Sequence, residues 1–359
     1  MSGLRAGSTL PIRLSESLMP VNPPPSSDAA RHVPVMLSEV LAALAPEAGE
    51  AFIDGTFGAG GYTRAILDSA PDIRVLAIDR DQTAIAAGMA LVSAMKGRLT
   101  LVEDRFSNLD KLAPMLGGEG VDGVVLDIGV SSMQLDEAER GFSFRRDGPL
   151  DMRMSGRGTS AADLLATLPE EALSRIFYVL GEERRANALA RAIVTDRVKQ
   201  PFLRTMQLAD LCGRVIRSKP SDIHPATRAF QALRIAVNGE LNELGLALLA
   251  GERALRPGGR LVVVTFHSLE DRIVKTFFAD RTRSQAGGSR HAPVVAVPLP
   301  TFTQSRRAAV AATPREADVN PRARSAKLRF AVRSDAPARD TGTSFLGLPD
   351  MNIQSGRGR

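Results

Sequence analysis

The sequence has a single cysteine, Cys212, and only four histidines, and these shortages exclude several kinds of site. One cysteine forms no disulfide within the chain and supplies no cysteine-rich zinc site. The histidines stand at positions 32, 224, 267 and 291, without the spacing of metal ligands. We therefore predict a cytoplasmic protein that folds without a metal and has no metal in its site.

Long hydrophobic runs are also missing. No stretch approaches the roughly 18 apolar residues of a membrane span, and residues 1–31 lack the continuous apolar segment of a signal peptide. The sequence therefore predicts no membrane association. The leader at residues 1–31, which contains a run of prolines and serines, and the tail at residues 335–359 are predicted to be disordered.

The glycine loop (residues 55–61) lacks the lysine of a phosphate-binding loop, and its glycines do not follow the dinucleotide pattern G-x-G-x-x-G. Acids stand on both sides of it, since Asp54 ends the apolar run before the loop and Asp79 ends the next run. Acids at two strand ends disfavour a pyrophosphate but suit a cationic ligand that carries ribose hydroxyls. The pattern predicts a site for S-adenosylmethionine; the alternative is a tight turn that binds nothing.

Strands that alternate with helices predict an α/β fold with a mostly parallel, Rossmann-like sheet. A late strand at residues 327–332 follows a long irregular stretch and is predicted to be antiparallel. The other strands are predicted at residues 50–54, 73–78, 99–103, 121–127 and 260–266.

More than a hundred residues separate the fourth and fifth predicted strands, and we interpret residues 138–228 as an inserted all-helical domain. The sheet domain then consists of residues 32–137 and 229–334. After the insertion, apolar residues recur every three or four positions from Phe230 to Leu248, which predicts one long helix. Helices within the insertion are predicted at residues 161–167, 170–180, 182–199 and 206–216.

The positive charge of the chain is concentrated in this insertion. Residues 140–234 contain 17 lysines and arginines against 10 acids, whereas the rest of the chain has 29 basic residues against 30 acids. A basic element within an otherwise balanced chain is typical of a surface that contacts a polyanion. The alternative is a solvated basic surface without a partner.

Ligand sites in open parallel sheets lie beyond the carboxyl ends of the strands. Asp79 is predicted to bind ribose hydroxyls, Phe106 to contact adenine, and Asp127 to lie where methyl donor and acceptor meet. The alternatives are a core aromatic for Phe106 and a strand-end cap for Asp127. His267 either takes part in catalysis or lies in a helix-capping turn, and Ser268–Asp271 fits a capping box.

Long blocks of the sequence then resemble one family. The string Asp54-Gly-Thr-Phe-Gly-Ala-Gly-Gly61 is similar to the RsmH, or MraW, family of ribosomal small-subunit RNA cytosine-N4 methyltransferases. Further blocks of the same family, in order and at fitting spacing, are residues 127–136, 139–144, 147–154, 181–184, 224–235, 265–275 and 320–329. The resemblance covers roughly residues 32–333.

The resemblance implies a class I S-adenosylmethionine-dependent methyltransferase fold with a seven-stranded sheet. It implies direct in-line methylation of one cytosine N4 in 16S rRNA of the small ribosomal subunit, near the decoding site, with release of S-adenosylhomocysteine. Where the family most often has histidine this chain has Tyr62, so only a backbone contact would survive there. The cofactor contacts that carry over are Gly60, Gly61, Tyr62, Asp79, Phe106, Asp127 and Gln134.

A paired base cannot present its amine to a donor, so the target cytosine must be unpaired or extruded. Arginines in the insertion loop (residues 140–159) suit phosphate and base contacts, and we expect this loop to become ordered on RNA. Phe142 and Phe144 are candidates for stacking on the base, and the alternative for at least one of them is packing in the core. The arginines predicted to bind RNA are Arg140, Arg145, Arg146, Arg153 and Arg157.

Two other functions stay open at the level of the sequence. One is methylation of a different substrate, such as DNA or a protein side chain, by the same cofactor site. The other is a non-enzymatic RNA-binding assembly factor that keeps the fold as a scaffold, against which the acids at three strand ends argue. The sequence leaves open whether the protein is a monomer or a homodimer.

Overall fold

The computed structural model describes residues 34–217, 219, 223–284, 298–304 and 309–349. Within that part of the chain the strands are β1 (Ala51–Asp54), β2 (Arg74–Asp79), β3 (Leu99–Glu103), β4 (Val121–Asp127), β5 (Leu255–Thr265), β6 (Phe302–Thr303), β7 (Val310–Ala311) and β8 (Lys327–Arg333). They form one sheet in the order β3-β2-β1-β4-β5-β8-β6, and β7 also pairs with β8.

Strands β1 to β5 run parallel, and β8 is antiparallel to β5 and to both short strands. The predicted mostly parallel α/β sheet and the late antiparallel strand are therefore confirmed. The described sheet has eight strands where seven were expected, because β6 and β7 are two-residue strands that leave no periodic pattern in a sequence.

Helices cover the sheet and build the insertion. In the described residues they are α1 (Leu37–Leu44), α2 (Gly61–Ser69), α3 (Gln82–Ala94), α4 (Leu109–Leu112), α5 (Ser132–Asp136), α6 (Ala161–Thr167), α7 (Glu170–Gly181), α8 (Ala186–Arg197), α9 (Thr205–Val215), α10 (Ala226–Asn238), α11 (Glu240–Ala254), α12 (Ser268–Arg281) and α13 (Pro314–Val319). Helices α6 to α9 are the ones predicted within the insertion.

The alternation of side chains along the buried strands divides the core into two hydrophobic clusters. Ile53 and Val124 belong to the first cluster, whereas their neighbours Phe52 and Val125 belong to the second, as expected for strands that are covered on both faces. The first cluster also contains the apolar faces of α6 to α10. The insertion therefore shares its core with one face of the sheet.

The prediction of one long helix after the insertion is wrong. Gly239 adopts a left-handed conformation, with φ of 63°, and separates α10 from α11. Glycine takes this conformation without steric cost, so the chain turns here although the apolar spacing continues on both sides. The break leaves the side chain of Asn238 buried at the end of α10, where it donates to the carbonyl of Met152 at 2.8 Å.

The predicted capping box at Ser268–Asp271 lies one residue too far along the chain. The residue that caps α12 is His267, whose side chain accepts the amide of Glu270, while the Glu270 carboxylate accepts the amide of His267. A serine before an acid was the stronger sequence signal, but a histidine nitrogen accepts the same bond here.

The prediction of a disordered tail is wrong for residues 335–349. Arg339 pairs with Asp280 at 2.9 Å, and the Arg281 guanidinium lies 4.5 Å from the centre of the Phe345 ring. Leu346 is buried in the first cluster. This segment therefore packs on α11 and α12, whereas the predicted leader and residues 350–359 lie outside the described residues.

Deleting residues 335–359 is expected to lower the free energy of unfolding by about 2–4 kcal/mol, because Leu346, the Phe345 ring and the ties to Asp280 are lost together. Urea unfolding followed by circular dichroism would measure the change. Deleting only residues 350–359 is the matched control, because it keeps all of the contacts named here. Equal stability of the chain cut after residue 334 and the full chain would show that the tail contributes nothing.

Candidate active site

Three aspartates end adjacent strands at the carboxyl edge of the sheet. Asp54 ends β1, Asp79 ends β2 and Asp127 ends β4, and β1 lies between the other two strands. Burial is the main cause that raises the pKa of Asp79 and of Asp127, and the charge of Asp54 adds to it in both. The structure therefore brings the three predicted acids together at one edge.

Asp54 holds the glycine loop onto α2. Its carboxylate is fully buried and accepts the hydroxyl of Thr63 at 2.7 Å and the amide of Thr56 at 3.1 Å. Burial raises its pKa, although these hydrogen bonds favour the charged form. Asp54 is thus engaged within the protein, and its role at the site is to fix the loop.

The glycine loop leaves no room for side chains where it enters α2. Gly60 caps the helix with φ of 77°, and a Cβ there would lie 2.9 Å from the Phe57 ring. A Cβ on Gly61 would lie 2.2 Å from the ring of Pro34. The amide of Gly58 donates to Asp79 at 2.8 Å, which connects the loop to the end of β2.

The side chain of Tyr62 is turned into the protein core. Its hydroxyl donates to the carbonyl of Val35, and only 4% of the residue is exposed. Burial, together with the charges of Asp127 and Asp54, raises the pKa of the phenol well above its usual value. A ligand in the glycine loop would therefore meet the backbone of Tyr62, and the phenol fills core space instead.

Asp79 is oriented by two backbone amides. One carboxylate oxygen accepts the amide of Gly58 and the other accepts the amide of Asp81, both at 2.8 Å. Burial raises the pKa of Asp79 to about 6, and the charges of Asp81 and Asp54 act in the same direction. Each oxygen keeps a second lone pair, so the carboxylate can still accept hydroxyl groups from a ligand.

Asp127 has a buried oxygen with no partner. Its amide donates to the hydroxyl of Thr56 at 2.7 Å, whereas its Oδ1 makes no hydrogen bond within the described part of the chain. Burial raises the pKa of this carboxyl well above its usual value, and the charges of Asp54 and Glu270 add to the effect. An unsatisfied buried acceptor is costly, which makes Oδ1 a candidate partner for a ligand donor.

His267 is occupied by the turn that begins α12. Its Nδ1 accepts the amide of Glu270 at 3.5 Å, and its Nε2 lies 2.7 Å from the Glu270 carboxylate. Glu270 also accepts the amide of Phe266 at 2.8 Å and lies 3.8 Å from Arg234. This geometry favours the capping alternative, because both ring nitrogens are occupied by Glu270, Nδ1 by its backbone amide and Nε2 by its carboxylate.

Gln134 belongs to a contact that the sequence reasoning missed. Its amide nitrogen donates to the Asp81 carboxylate at 2.8 Å, and its oxygen accepts the amide of Ser131 at 3.1 Å. Arg140 lies 2.8 Å from the same Asp81 oxygen. We call these three residues, Asp81, Gln134 and Arg140, the Asp81 junction. Asp81 caps α3 by accepting the amide of Thr83. An aspartate directly before a helix is a typical N-cap, and this was the signal for Asp81 in the sequence.

Phe106 begins a short helical turn directly after β3 and packs partly buried on the first cluster. Its Cβ lies 3.2 Å from where a Cβ on Gly55 would stand, so the aromatic ring and the glycine loop are neighbours. A cavity of about 460 Å³ lies at the ends of β2 and β3. It is lined by Arg80, Glu103, Asp104, Arg105, Val237 and Asn238 and, from the insertion loop, by Ser155, Arg157, Gly158 and Thr159.

The insertion loop makes backbone contacts with the segment that leads into α9, while the expectation that it becomes ordered on RNA stays a prediction. The amide of Leu150 donates to Leu203 at 2.8 Å, and the amide of Thr205 donates to Gly148 at 2.9 Å. Pro149 and Arg204 form an isolated antiparallel bridge. The loop is therefore anchored to the segment that leads into α9.

RNA contact by the five loop arginines stays a prediction, but the structure separates them. Arg140 donates to two carbonyls of the loop and is 17% exposed, and Arg153 pairs with Asp151. Arg157 is 75% exposed and lies 3.5 Å from Glu103. Arg145 and Arg146 are exposed, and their guanidinium groups make no hydrogen bond or ion pair with any described residue.

The two candidate stacking residues have different surroundings. Phe142 is 5% exposed and belongs to the first cluster, as the core alternative required. Phe144 stacks on His224 with ring centres 4.5 Å apart and contacts Phe230 edge to face. It lines a cavity of 390 Å³ with Met206, Ala209, Asp210, Gly213, Arg214 and His224.

Neither a metal centre nor a membrane segment is found within the residues that the structure describes. They contain no group of three or more histidine, cysteine or acidic side chains placed to hold a metal ion. None of their helices combines the length and the apolar character that crossing a bilayer requires. Cys212 is buried in the insertion, and burial raises the pKa of its thiol to about 12.

Comparison with known proteins gives one consistent result. The sequence profile of the MraW methylase family matches residues 29–334. A protein of Azorhizobium caulinodans named ribosomal RNA small subunit methyltransferase H is 60% identical over 330 residues, which cover 92% of this chain and 94% of the relative. A protein of the same name from Xanthobacter autotrophicus is 62% identical over 319 residues, or 89% of this chain and 92% of the relative. Both similarities therefore extend across the sheet and the insertion.

Proposed function

The chain belongs to the MraW methylase family, and we propose that it methylates 16S rRNA of the small ribosomal subunit with S-adenosylmethionine as the donor. The acceptor in this proposal is the N4 amine of one cytosine near the decoding site, and S-adenosylhomocysteine is released. The relatives' names support the RNA substrate. The buried Oδ1 of Asp127, which has no partner in the described part of the chain, is the observation that carries the chemistry.

The residues at the sheet edge fit this donor. Asp79 presents an oriented carboxylate to the two ribose hydroxyls, and Phe106 offers an aromatic surface beside the glycine loop for adenine. Gly60 and Gly61 allow the loop backbone to pack closely on Phe57 and Pro34, and in our proposal this backbone contacts the methionine part of the donor. The concentration of acids suits a ligand that carries an ammonium and a sulfonium.

Methyl transfer from this donor depends on alignment, because the sulfonium supplies an already activated methyl group. The amine of cytosine is a poor nucleophile, since its lone pair is delocalised into the ring. In our proposal Asp127 Oδ1 accepts a hydrogen bond from one amino N–H and so directs the lone pair toward the methyl group. As the new N–C bond forms, the S–C bond breaks, and the surplus proton of the amine passes to Asp127 and then to water.

The insertion supplies the RNA contacts in this proposal. Arg145 and Arg146 lie exposed on a loop whose backbone is hydrogen-bonded to the segment before α9. The two guanidinium groups therefore project into solvent from an anchored loop. Phosphate contacts by such groups position the RNA, and the target base must leave its stack to reach the sheet edge. Phe144, beside an open cavity, is the remaining candidate for a stacking contact.

Binding of S-adenosylhomocysteine is expected to weaken as the pH falls below 6. Burial raises the pKa of Asp79 to about 6, so the carboxylate becomes protonated below that pH and loses acceptor capacity for the ribose hydroxyls. The dissociation constant should rise by about tenfold per pH unit below the pKa. Isothermal titration calorimetry between about pH 5 and pH 8 would measure it. Asp79→Asn should bind weakly and independently of pH, whereas Asp127→Asn, with Asp79 intact, should keep the dependence.

The proposed function is tested by transfer of labelled methyl to small ribosomal subunits isolated from cells that lack this protein, followed by nucleoside analysis. Label in N4-methylcytidine supports reaction, substrate and acceptor atom together. Label in another nucleoside or in protein would leave the methyltransferase and reject the acceptor. Absence of transfer, with S-adenosylmethionine bound, would reject the proposal and favour the assembly factor.

A further inference from the structure

The Asp81 junction connects three parts of the molecule that the proposed reaction uses. The amide of Asp81 donates to Asp79, the predicted ribose contact, at 2.8 Å. Its carboxylate accepts the side-chain amide of Gln134, on the helix that follows the Asp127 strand, at 2.8 Å. The same carboxylate lies 2.8 Å from Arg140, where the insertion loop begins. Asp81 is 4% exposed and Gln134 is 6% exposed, so these contacts are shielded from solvent.

Arg140 carries the connection into the insertion loop. Its second terminal nitrogen donates to the carbonyls of Arg153 and Met154, at 3.2 and 2.9 Å. One guanidinium therefore joins the Asp81 carboxylate to the far side of the loop. Charge-assisted bonds of this kind are stronger and more directional than neutral ones, and burial strengthens them further.

A second connection runs beside the first and starts from the neighbouring residue. Arg80 donates to the carbonyl of Asn238 at 3.0 Å. The Asn238 side chain in turn donates to Met152 at 2.8 Å and accepts the amide of Met154 at 2.9 Å. The turn at residues 79–81 is thus joined to the same short stretch of the insertion loop from two sides, so a shift of that stretch moves the turn that orients Asp79.

We propose that Asp81 and Arg140 are positioning residues that couple binding of the methyl donor to binding of RNA. This inference rests on the proposed function, because it takes Asp79 as the ribose contact and the insertion as the RNA-binding element. RNA that holds the insertion loop also holds residues 79–81 in the arrangement that binds the donor. By linkage, a bound donor then favours RNA to the same extent.

The experiment compares the affinity for S-adenosylhomocysteine with and without saturating small ribosomal subunits, by equilibrium binding of labelled ligand. In the native chain the subunits should tighten binding about fivefold to tenfold. In Arg140→Met, which keeps an apolar stem but loses the ion pair and both carbonyl contacts, the ratio should fall to within about twofold of one. Affinity without subunits should change by less than about threefold, since Asp79 keeps both of its amide donors.

Two further variants make the result decisive. Asp81→Asn keeps an N-cap for α3 but loses the charge that pairs with Arg140, so it should lose the coupling as well, and it replaces Arg140→Met if that protein does not fold. Arg191→Met removes an exposed, ion-paired arginine from α8 of the same insertion and should keep the native ratio. The inference would be overturned if small subunits left the affinity of the native chain for S-adenosylhomocysteine unchanged. It would also be overturned if subunits tightened binding in both junction variants as much as in the native chain.

The proposed function can fail separately from this coupling. A chain that places no label in N4-methylcytidine would fail as the proposed enzyme, whatever the binding ratio. A chain that methylates the subunits normally, with the same donor affinity in their presence and absence, would be the proposed enzyme without the coupling. Native labelling together with a ratio that Arg140→Met abolishes supports both.

Discussion

Asparagine in place of Asp127 is expected to lower the rate of methyl transfer by about 10²- to 10³-fold. The substitution keeps the size of the side chain and the hydrogen bond from the backbone amide of residue 127 to the Thr56 hydroxyl. It removes the negative charge beside the amine. Because Oδ1 has no partner among the described residues, no internal hydrogen bond is lost with it. Single-turnover transfer of labelled methyl to unmodified small subunits would measure the rate.

Asp122→Asn is the matched control for this substitution. Asp122 lies on the same strand but at the opposite edge of the sheet, is 5% exposed and accepts the amide of Ala51 at 2.9 Å. Its loss should lower stability and leave the rate unchanged. If Asp127→Asn transferred methyl at the native rate, an acceptor role for Asp127 would be excluded.

The pH dependence of the rate gives a second readout for Asp127. Burial, with the charges of Asp54 and Glu270, raises the pKa of this carboxyl well above its usual value. The ionised form is the one that accepts the amino proton, so the rate should rise with pH through the raised pKa. The asparagine variant has no such group to ionise and should lose this rising limb.

The parts of this site that follow from sequence are those set by local pattern. Buried strands read as short apolar runs, and a parallel sheet brings their carboxyl ends to one edge. Asp79 and Asp127 accordingly lie at this edge, beside the glycine loop, as predicted. Strand ends and glycines are constrained by backbone geometry alone, so their positions follow without knowledge of side-chain contacts.

The parts that could not be predicted depend on contacts between distant segments. Arg140 looked like a free cation in a basic loop, yet its partners are Asp81 and the carbonyls of Arg153 and Met154. The apolar spacing across Gly239 is the same in one helix as in two, so only the fold reveals the break. The composition of the tail suggested disorder, but the buried Leu346 gives it a place on the core.

Reversing the charge of Arg145 and Arg146 to glutamate is expected to weaken binding to small ribosomal subunits by about 10²-fold at roughly 0.1 M salt. Both side chains are exposed and without partners among the described residues, so neither guanidinium has to give up an internal ion pair to contact a phosphate. Each lost phosphate contact also lowers the dependence of log affinity on log salt concentration by about one. Filter binding across a series of salt concentrations would measure affinity and slope together.

The control for this pair changes the same amount of charge elsewhere. Arg191→Glu with Arg253→Glu reverses two exposed arginines, one on α8 and one on α11, that pair with Glu170 and Asp110. A long-range effect of net charge would weaken RNA binding equally in both double variants, whereas direct contact confines the loss and the reduced slope to Arg145 and Arg146. S-adenosylhomocysteine should bind both with native affinity, because none of these side chains reaches the three aspartates. If the chain with both charges reversed bound RNA with native affinity, the RNA-binding surface would have to lie outside the insertion loop.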